Sequence, residues 1–226
     1  MEYRYETTST EGLVQLLACN LLPHGYWFYV TGWIPDDKDA RKVDLKLSGK
    51  YAAGLGRTAR ARRKRLGYAN VRYVRHGRFF VLLATHGTHR FFEEERASIR
   101  DIRRIPLRFA GYAISCRPGG RTRDGQADSK LHSHVEIDRE HFKELMAHYA
   151  DLALRRSAKH LALEFYGLPF EPYGPVRRQM LRLLKCVNRI RRKAGKEPVP
   201  IDVLPFRRRI VRPFEPNRPG PLSASD

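Results

Sequence analysis

The sequence predicts an α+β fold: a ferredoxin-like or RNA-recognition-like antiparallel sheet with helices on one face, followed by a C-terminal helical lobe. Three observations predict it. Runs of β-branched and aromatic residues alternate with segments of helical periodicity through residues 23–138. A long amphipathic pattern without strand character fills 139–197. A Pro-rich basic tail closes the chain over 198–226, and residues 1–22 form a separate N-terminal helix.

Ser9 or Thr10 caps that first helix, which runs through Asn20 with Leu13, Leu16 and Leu17 inward and stops at Pro23 and Gly25. Tyr26 to Ile34 is a buried strand, with Gly32 at a bulge. A helix follows Asp36-Asp37 and carries Val43, Leu47 and Tyr51 at helical spacing until Gly54 and Gly56 break it. A basic loop comes next. Asn70 to Val74 and Phe79 to Thr85 make a hairpin around Arg75-His76-Gly77-Arg78. Its second arm has no polar interruption and is a central strand covered on both faces. Thr88 caps a helix over 89–104, and Leu107 to Cys116 is a strand. After the loop 117–131, Ser133 to Ile137 returns as its partner. Asp138 caps a helix over 139–166 with Phe142, Leu145, Tyr149 and Leu152 inward, and Pro175 opens another over 176–194. The segment Pro216 to Asp226 is expected to be disordered.

Charge narrows the function. The 226 residues hold 44 Lys and Arg against 24 Asp and Glu, a formal net charge of +20. Residues 46–65 carry eight basic and no acidic side chains, residues 176–196 nine and none, and residues 207–212 four and none. The remaining positions carry 23 basic and 24 acidic residues, so three segments make an otherwise neutral chain basic. Such segments call for a polyanion, nucleic acid before a membrane surface. No run of 18 apolar residues is present, so no spanning helix is expected, and the apolar stripe of the helix over 176–194 lacks Trp and Phe and is tied by Pro-rich corners at both ends, so no membrane partner is expected either. The N-terminus lacks a basic start followed by an apolar stretch, so no secretory signal is expected. Cys19, Cys116 and Cys186 form neither a disulfide framework nor a CxxC pair, which points to a reducing cytoplasm. GxSxG and GxxxxGK[ST] are absent, which removes support for hydrolase triads and nucleotide P-loops.

Two candidate phosphate grips stand out, with a third stretch behind them. Arg57, Arg60, Arg62, Arg63, Lys64 and Arg65 fall within nine positions, and guanidinium groups pair bidentately with phosphate. In the helix over 176–194, at about 100° per residue, Val176, Met180, Leu183, Val187, Ile190 and Ala194 form one narrow apolar stripe. Arg177, Arg178, Arg182, Lys185, Arg189, Arg192 and Lys193 lie on the opposite side, and Arg191 alone lies near the stripe. Solvated surface helices normally mix both signs of charge; this one does not. Arg207, Arg208 and Arg209 extend the basic set into the tail.

Candidate chemistry centres on His132-Ser133-His134. Residues i and i+2 of a strand project to one face, so two imidazoles can share a divalent ion, with His86 as a third ligand. These residues resemble the HUH endonucleases: rolling-circle replication initiators, relaxases and single-tyrosine transposases of mobile elements. The resemblance covers about residues 26–150 and implies a ferredoxin-like sheet, Mg or Mn held by His132 and His134, and Tyr149 as the nucleophile that attacks a DNA phosphodiester. Ser133 stands where that family has a hydrophobic residue, and Tyr149 also falls in the inward row of its helix, where a core tyrosine is the alternative. Gly77-Arg78-Phe79-Phe80-Val81 resembles the base-stacking strand of RNA-recognition modules. The expectation is therefore a nucleic-acid-binding protein gripping phosphates, of the replication-initiator or transposase kind. The alternatives are a non-catalytic binder of structured RNA and an RNA endonuclease of the CRISPR type.

Overall fold

The computed structural model describes residues 4–120, 124–126 and 128–215. The chain divides into two compact units. The first comprises Met1–Pro106, Ser115–Ser133 and Val211–Asp226; the second comprises Leu107–Ile114 and His134–Ile210. The division passes through two long strands, each of which begins in one unit and ends in the other.

The first unit opens with α1 (Thr10–Gln15), whose cap is Ser9: its Oγ accepts from the Gly12 amide at 3.0 Å. An ordinary helix to Asn20 was the expectation. Instead the chain widens into a π-helical stretch, Leu16–Leu21, then tightens into the 3-10 turn Leu22–His24 before Gly25 at φ 88. Leu16, Leu17, Ala18 and Leu21 are all buried, an apolar arc that the wider turn keeps covered. Strand β1 (Phe28–Trp33) follows. Gly32 marks no bulge, because pairing runs unbroken from Phe28 opposite Ala84 to Trp33 opposite Phe79. Gly32 makes room instead: a Cβ there would lie 2.5 Å from the Phe80 ring.

Asp39 caps α2 (Ala40–Lys50), accepting from the Arg41 amide at 2.8 Å. The basic segment expected as a loop is a helix, α3 (Arg57–Arg65). Arg, Lys and Ala are strong helix formers, and propensity wins here over like-charge repulsion. Two contacts anchor it: the Arg60 guanidinium donates to the Leu55 carbonyl, and Asn70 Nδ2 donates to the Arg60 carbonyl at 3.0 Å.

Strands β2 (Val71–His76) and β3 (Phe79–Ala84) pair through a turn at Gly77-Arg78, with Gly77 at φ 56. The helix expected over 89–104 shrinks to one turn, α4 (Phe91–Glu94), and Thr88 does not cap it. Thr88 instead bridges to Tyr68. The chain then extends as β4 (Arg100–Asp101) along β1, and the Ile102 amide reaches the Trp27 carbonyl at 2.9 Å. Satisfying the open edge of β1 outweighs the helical periodicity of Phe92, Glu95 and Ile99.

The sheet order is β2-β3-β1-β4, antiparallel throughout, as in ferredoxin-like folds. Val30, Val71, Tyr73 and Leu82 share one face with Tyr51 and Phe91. The alternate residues Tyr29, Val81 and Leu83 are buried as well, so the central strand is covered on both faces. Residues after Val211 return to α1, where the side chain of Gln15 exchanges two hydrogen bonds with the Val211 backbone.

A second sheet, not one continuous sheet, follows, with order β5-β6-β7: β5 (Leu107–Phe109), β6 (Tyr112–Pro118) and β7 (Leu131–Ile137). The single strand expected over 107–116 is a tight hairpin, because Ala110 and Gly111 both take positive φ, 46° and 77°. The intervening loop closes on itself, with the Gly119 amide bonded to the Lys130 carbonyl at 3.0 Å.

In the second unit Asp138 caps α5 (Arg139–Arg155) through the Glu140 amide at 3.1 Å. The helix expected to reach residue 166 breaks at Arg156, which is extended, and Ser157 caps a new one, α6 (Ala158–Tyr166), through the His160 amide at 3.2 Å. Helix α7 (Gly174–Lys193) begins with Pro175 in its first turn. Its Val176, Met180, Leu183, Leu184 and Val187 are buried. The expected disorder of Pro216 to Asp226 lies outside the described residues. Among the described residues no helix is long and apolar enough to cross a membrane.

Candidate nucleic-acid interface

Helix α3 carries six cations and no acidic residue. Its side chains divide by helical spacing. Arg57, Arg60, Ala61 and Lys64, one face at i, i+3, i+4 and i+7, line a cleft of about 450 Å³. Arg63 turns the other way: its Nη2 donates to the Ala69 carbonyl at 3.2 Å, and its guanidinium lies 5.5 Å from the centre of the Tyr68 ring. Arg62 and Arg65 are exposed.

Helix α7 presents Arg177, Arg178, Arg182, Lys185, Arg189, Arg192 and Lys193, all exposed, opposite its buried stripe. Arg177 donates to the Phe206 carbonyl at 3.3 Å. Among the described residues, none of the cations named on α3 and α7 pairs with a carboxylate. Arg191 is different in kind. It is buried, its Nη1 donates to the carbonyls of Ala153 and Arg156 at 2.7 and 2.8 Å, and its Nε donates to Glu197 at 2.6 Å. It holds the C-terminal end of α5, where a cation suits both the open carbonyls and the helix dipole. Its place near the apolar stripe was the signal for this role.

The tail arginines are partly committed inside the second unit. Arg209 pairs with the buried Glu171, Nε to Oε1 at 3.0 Å, and the Arg208 guanidinium stacks 5.0 Å from the Tyr173 ring centre. Arg207 is exposed.

Of the expected metal ligands, two meet carboxylates. His132 Nε2 meets Asp128 Oδ2 at 2.8 Å, His134 Nε2 meets Glu136 Oε2 at 3.2 Å, and His86 is exposed beyond the end of β3. The His132 contact holds the Asp128 carboxyl below the usual carboxylate range. Among the described residues no three His, Cys, Asp or Glu side chains form a set that could hold a metal ion. Tyr149, expected as nucleophile, is buried, its ring 4.7 Å from that of Phe165. Burial, reinforced by Glu164, pushes its phenol up to about 12. A hydroxyl so placed does not ionise readily near neutral pH, and Tyr149 is a core residue.

The cleft beside α3 was not foreseen. Its remaining polar lining comes from Asn20, His24, Asn70, Arg72 and Thr85. Arg72 alternates out of the apolar pattern of β2, which was the one sequence signal for it.

No family model matches this chain, and neither a curated protein nor a solved structure is significantly similar to it.

Proposed function

We propose that the protein binds nucleic acid through its phosphates, with α3 in the first unit and α7 in the second as the two cationic contact surfaces. The observation that carries this reading is the acid-free character of both helices: thirteen exposed or half-exposed cations on them lack carboxylate partners among the described residues. On α7 the pairs Arg178 and Arg182, Lys185 and Arg189, and Arg189 and Lys193 stand four residues apart, a spacing at which like charges cost roughly 0.2–0.5 kcal/mol per pair. A polyanion relieves that cost, whereas water and salt only screen it. Arginine dominates both surfaces, and its planar fork suits phosphate oxygens better than a lysine ammonium does. The reading is one of binding, and strand cleavage through Tyr149 forms no part of it, because Tyr149 packs in a core.

The test is the salt dependence of affinity for DNA and RNA, single- and double-stranded. If about seven phosphates are engaged on a duplex, log K falls linearly with log[salt] at a slope near −6. A flat response overturns the proposal. Sequence-independent affinity is expected, since phosphate contacts position a strand without reading its bases.

A further inference from the structure

We infer that the cleft beside α3 binds a terminal phosphomonoester together with the nucleoside that carries it. This rests on the nucleic-acid reading above and names the part of the ligand that this cleft takes.

Charge comes first. Arg57, Arg60 and Lys64 from α3 and Arg72 from β2 line the cleft, and among the described residues no carboxylate does. Four cations around about 450 Å³ exceed what one internal phosphodiester, with a single negative charge, can neutralise. A terminal phosphate has a second pKa near 6 and carries about −1.5 to −2 at neutral pH, with three acceptor oxygens for guanidinium forks. The Tyr26 phenol also lines the cleft; burial raises its pKa, while Arg60 and Arg72 pull it the other way, which places both guanidinium groups close to it.

A second, independent observation asks for more than phosphate. Asn70 is 4% exposed and lines the same cleft. Its amide nitrogen donates to the Arg60 carbonyl at 3.0 Å, and its backbone amide donates to Thr85 Oγ1 at 2.9 Å. Its Oδ1 has no hydrogen-bond partner among the described residues. A buried acceptor left open is costly, and phosphate, which at neutral pH is mainly an acceptor itself, does not fill it. A ribose hydroxyl or a base N–H does. The volume lies within the range of small-ligand sites. The wall opposite α3 includes Leu16, Asn20 and Leu21 of the π-helical stretch, an irregularity that recurs at functional sites.

A free nucleoside monophosphate and the phosphorylated end of a strand present this same chemistry, and the experiment separates them. Fluorescence anisotropy compares one short oligonucleotide bearing a 5′-phosphate, a 3′-phosphate or no terminal phosphate, with nucleoside monophosphate and inorganic phosphate as competitors. One phosphorylated end should bind about tenfold tighter than the hydroxyl-ended strand. Arg72→Gln and Asn70→Asp should each abolish that gain, weakening binding of the phosphorylated strand more than that of the hydroxyl-ended one, with thermal unfolding confirming their fold. Nucleoside monophosphate should compete better than inorganic phosphate. Equal affinity for all three strands overturns the inference while leaving phosphate-dominated binding intact; the wild-type comparison decides this even if a variant fails to fold. Binding of the mononucleotide without any strand supports the cleft and overturns the polymer reading. Failure of strands and mononucleotide alike overturns both.

Discussion

Asp44 and Arg75 meet as a two-pronged ion pair sealed from water. Nε lies 2.9 Å from Oδ1 and Nη2 lies 3.0 Å from Oδ2, with Asp44 wholly inaccessible and Arg75 at 6% exposure. The Tyr73 hydroxyl donates to the same carboxylate at 2.5 Å, and Glu6 approaches Arg75 from outside at 2.8 Å. Asp44 of α2 thus fastens β2, and Arg75 of β2 in turn fastens the segment before α1. Asp44→Ala leaves the buried Arg75 guanidinium with only the exposed Glu6 as counter-charge and should cost about 3–5 kcal/mol in urea-induced unfolding. A loss below about 1 kcal/mol would show that the pair contributes little to the fold.

Arg191 and Arg192 are neighbours with opposite fates. Arg191→Leu leaves the carbonyls of Ala153, Arg156 and Glu197 without their donor and should cost at least about 2 kcal/mol, whereas Arg192→Leu, at an exposed site, should stay within about 0.5 kcal/mol. Affinity should show the reverse ranking: Arg192→Leu weakens nucleic-acid binding and lowers the salt slope by about 1, and folded Arg191→Leu does not.

Arg189→Glu places a carboxylate four residues from both Lys185 and Lys193. Two repulsions become attractions, so the free protein should gain several tenths of a kcal/mol by thermal unfolding. The same change should weaken binding and reduce its salt slope by about 2, since one cation is lost and another charge opposes the phosphates. Lower stability together with unchanged affinity would remove α7 from the interface.

Tyr149→Phe keeps the ring against Phe165 and should alter stability by no more than about 1 kcal/mol, while Tyr149→Ala opens a cavity and should cost about 3–5 kcal/mol. With labelled single-stranded DNA and Mn²⁺, wild type and Tyr149→Phe should give the same products. A covalent adduct formed by the wild type and lost in Tyr149→Phe would restore the HUH chemistry.

His89 supplies the pH dependence. Burial first, then Arg63 and Arg90, hold its pKa below the ordinary imidazole value, and its Nδ1 accepts the Phe91 amide at 3.0 Å. The unfolded chain therefore takes up this proton first as pH falls through about 6.5, so stability is full above that pH and is lost below it, down to the lowered folded value. The melting temperature should drop more between about pH 7.5 and 5.5 for the wild type than for His89→Gln. Parallel slopes would assign the dependence to other histidines.

How much of this was legible in the sequence varied with the kind of force involved. The α+β class and the two-faced helix α7 follow from hydrophobic periodicity, which local residues carry, whereas the strand order does not, since β4 was expected within a helix. The helicity of α3 was hidden because charge repulsion argued for a loop while Arg and Ala propensity, anchored by Leu55 and Asn70, prevailed. The breaks at Glu95 and Arg156 were hidden because helical spacing continues through both, and only pairing along β1 and the cap at Ser157 reveal them. At the candidate site, the cations of α3 and α7 could be named from composition. Asn70 and Arg72 could not, since a strand residue's place beside a cleft depends on elements distant in the chain.

The reunion of Gln15 with Val211 across 196 positions sets a clock on biogenesis. At synthesis rates of about 5–20 residues per second, about 10–40 s pass before α1 can meet the segment that completes its hydrogen bonds. For most of that interval the nascent chain already carries the arginines of α3. A ribosome translating this protein is therefore a polyanion in reach of an unfinished cationic fold.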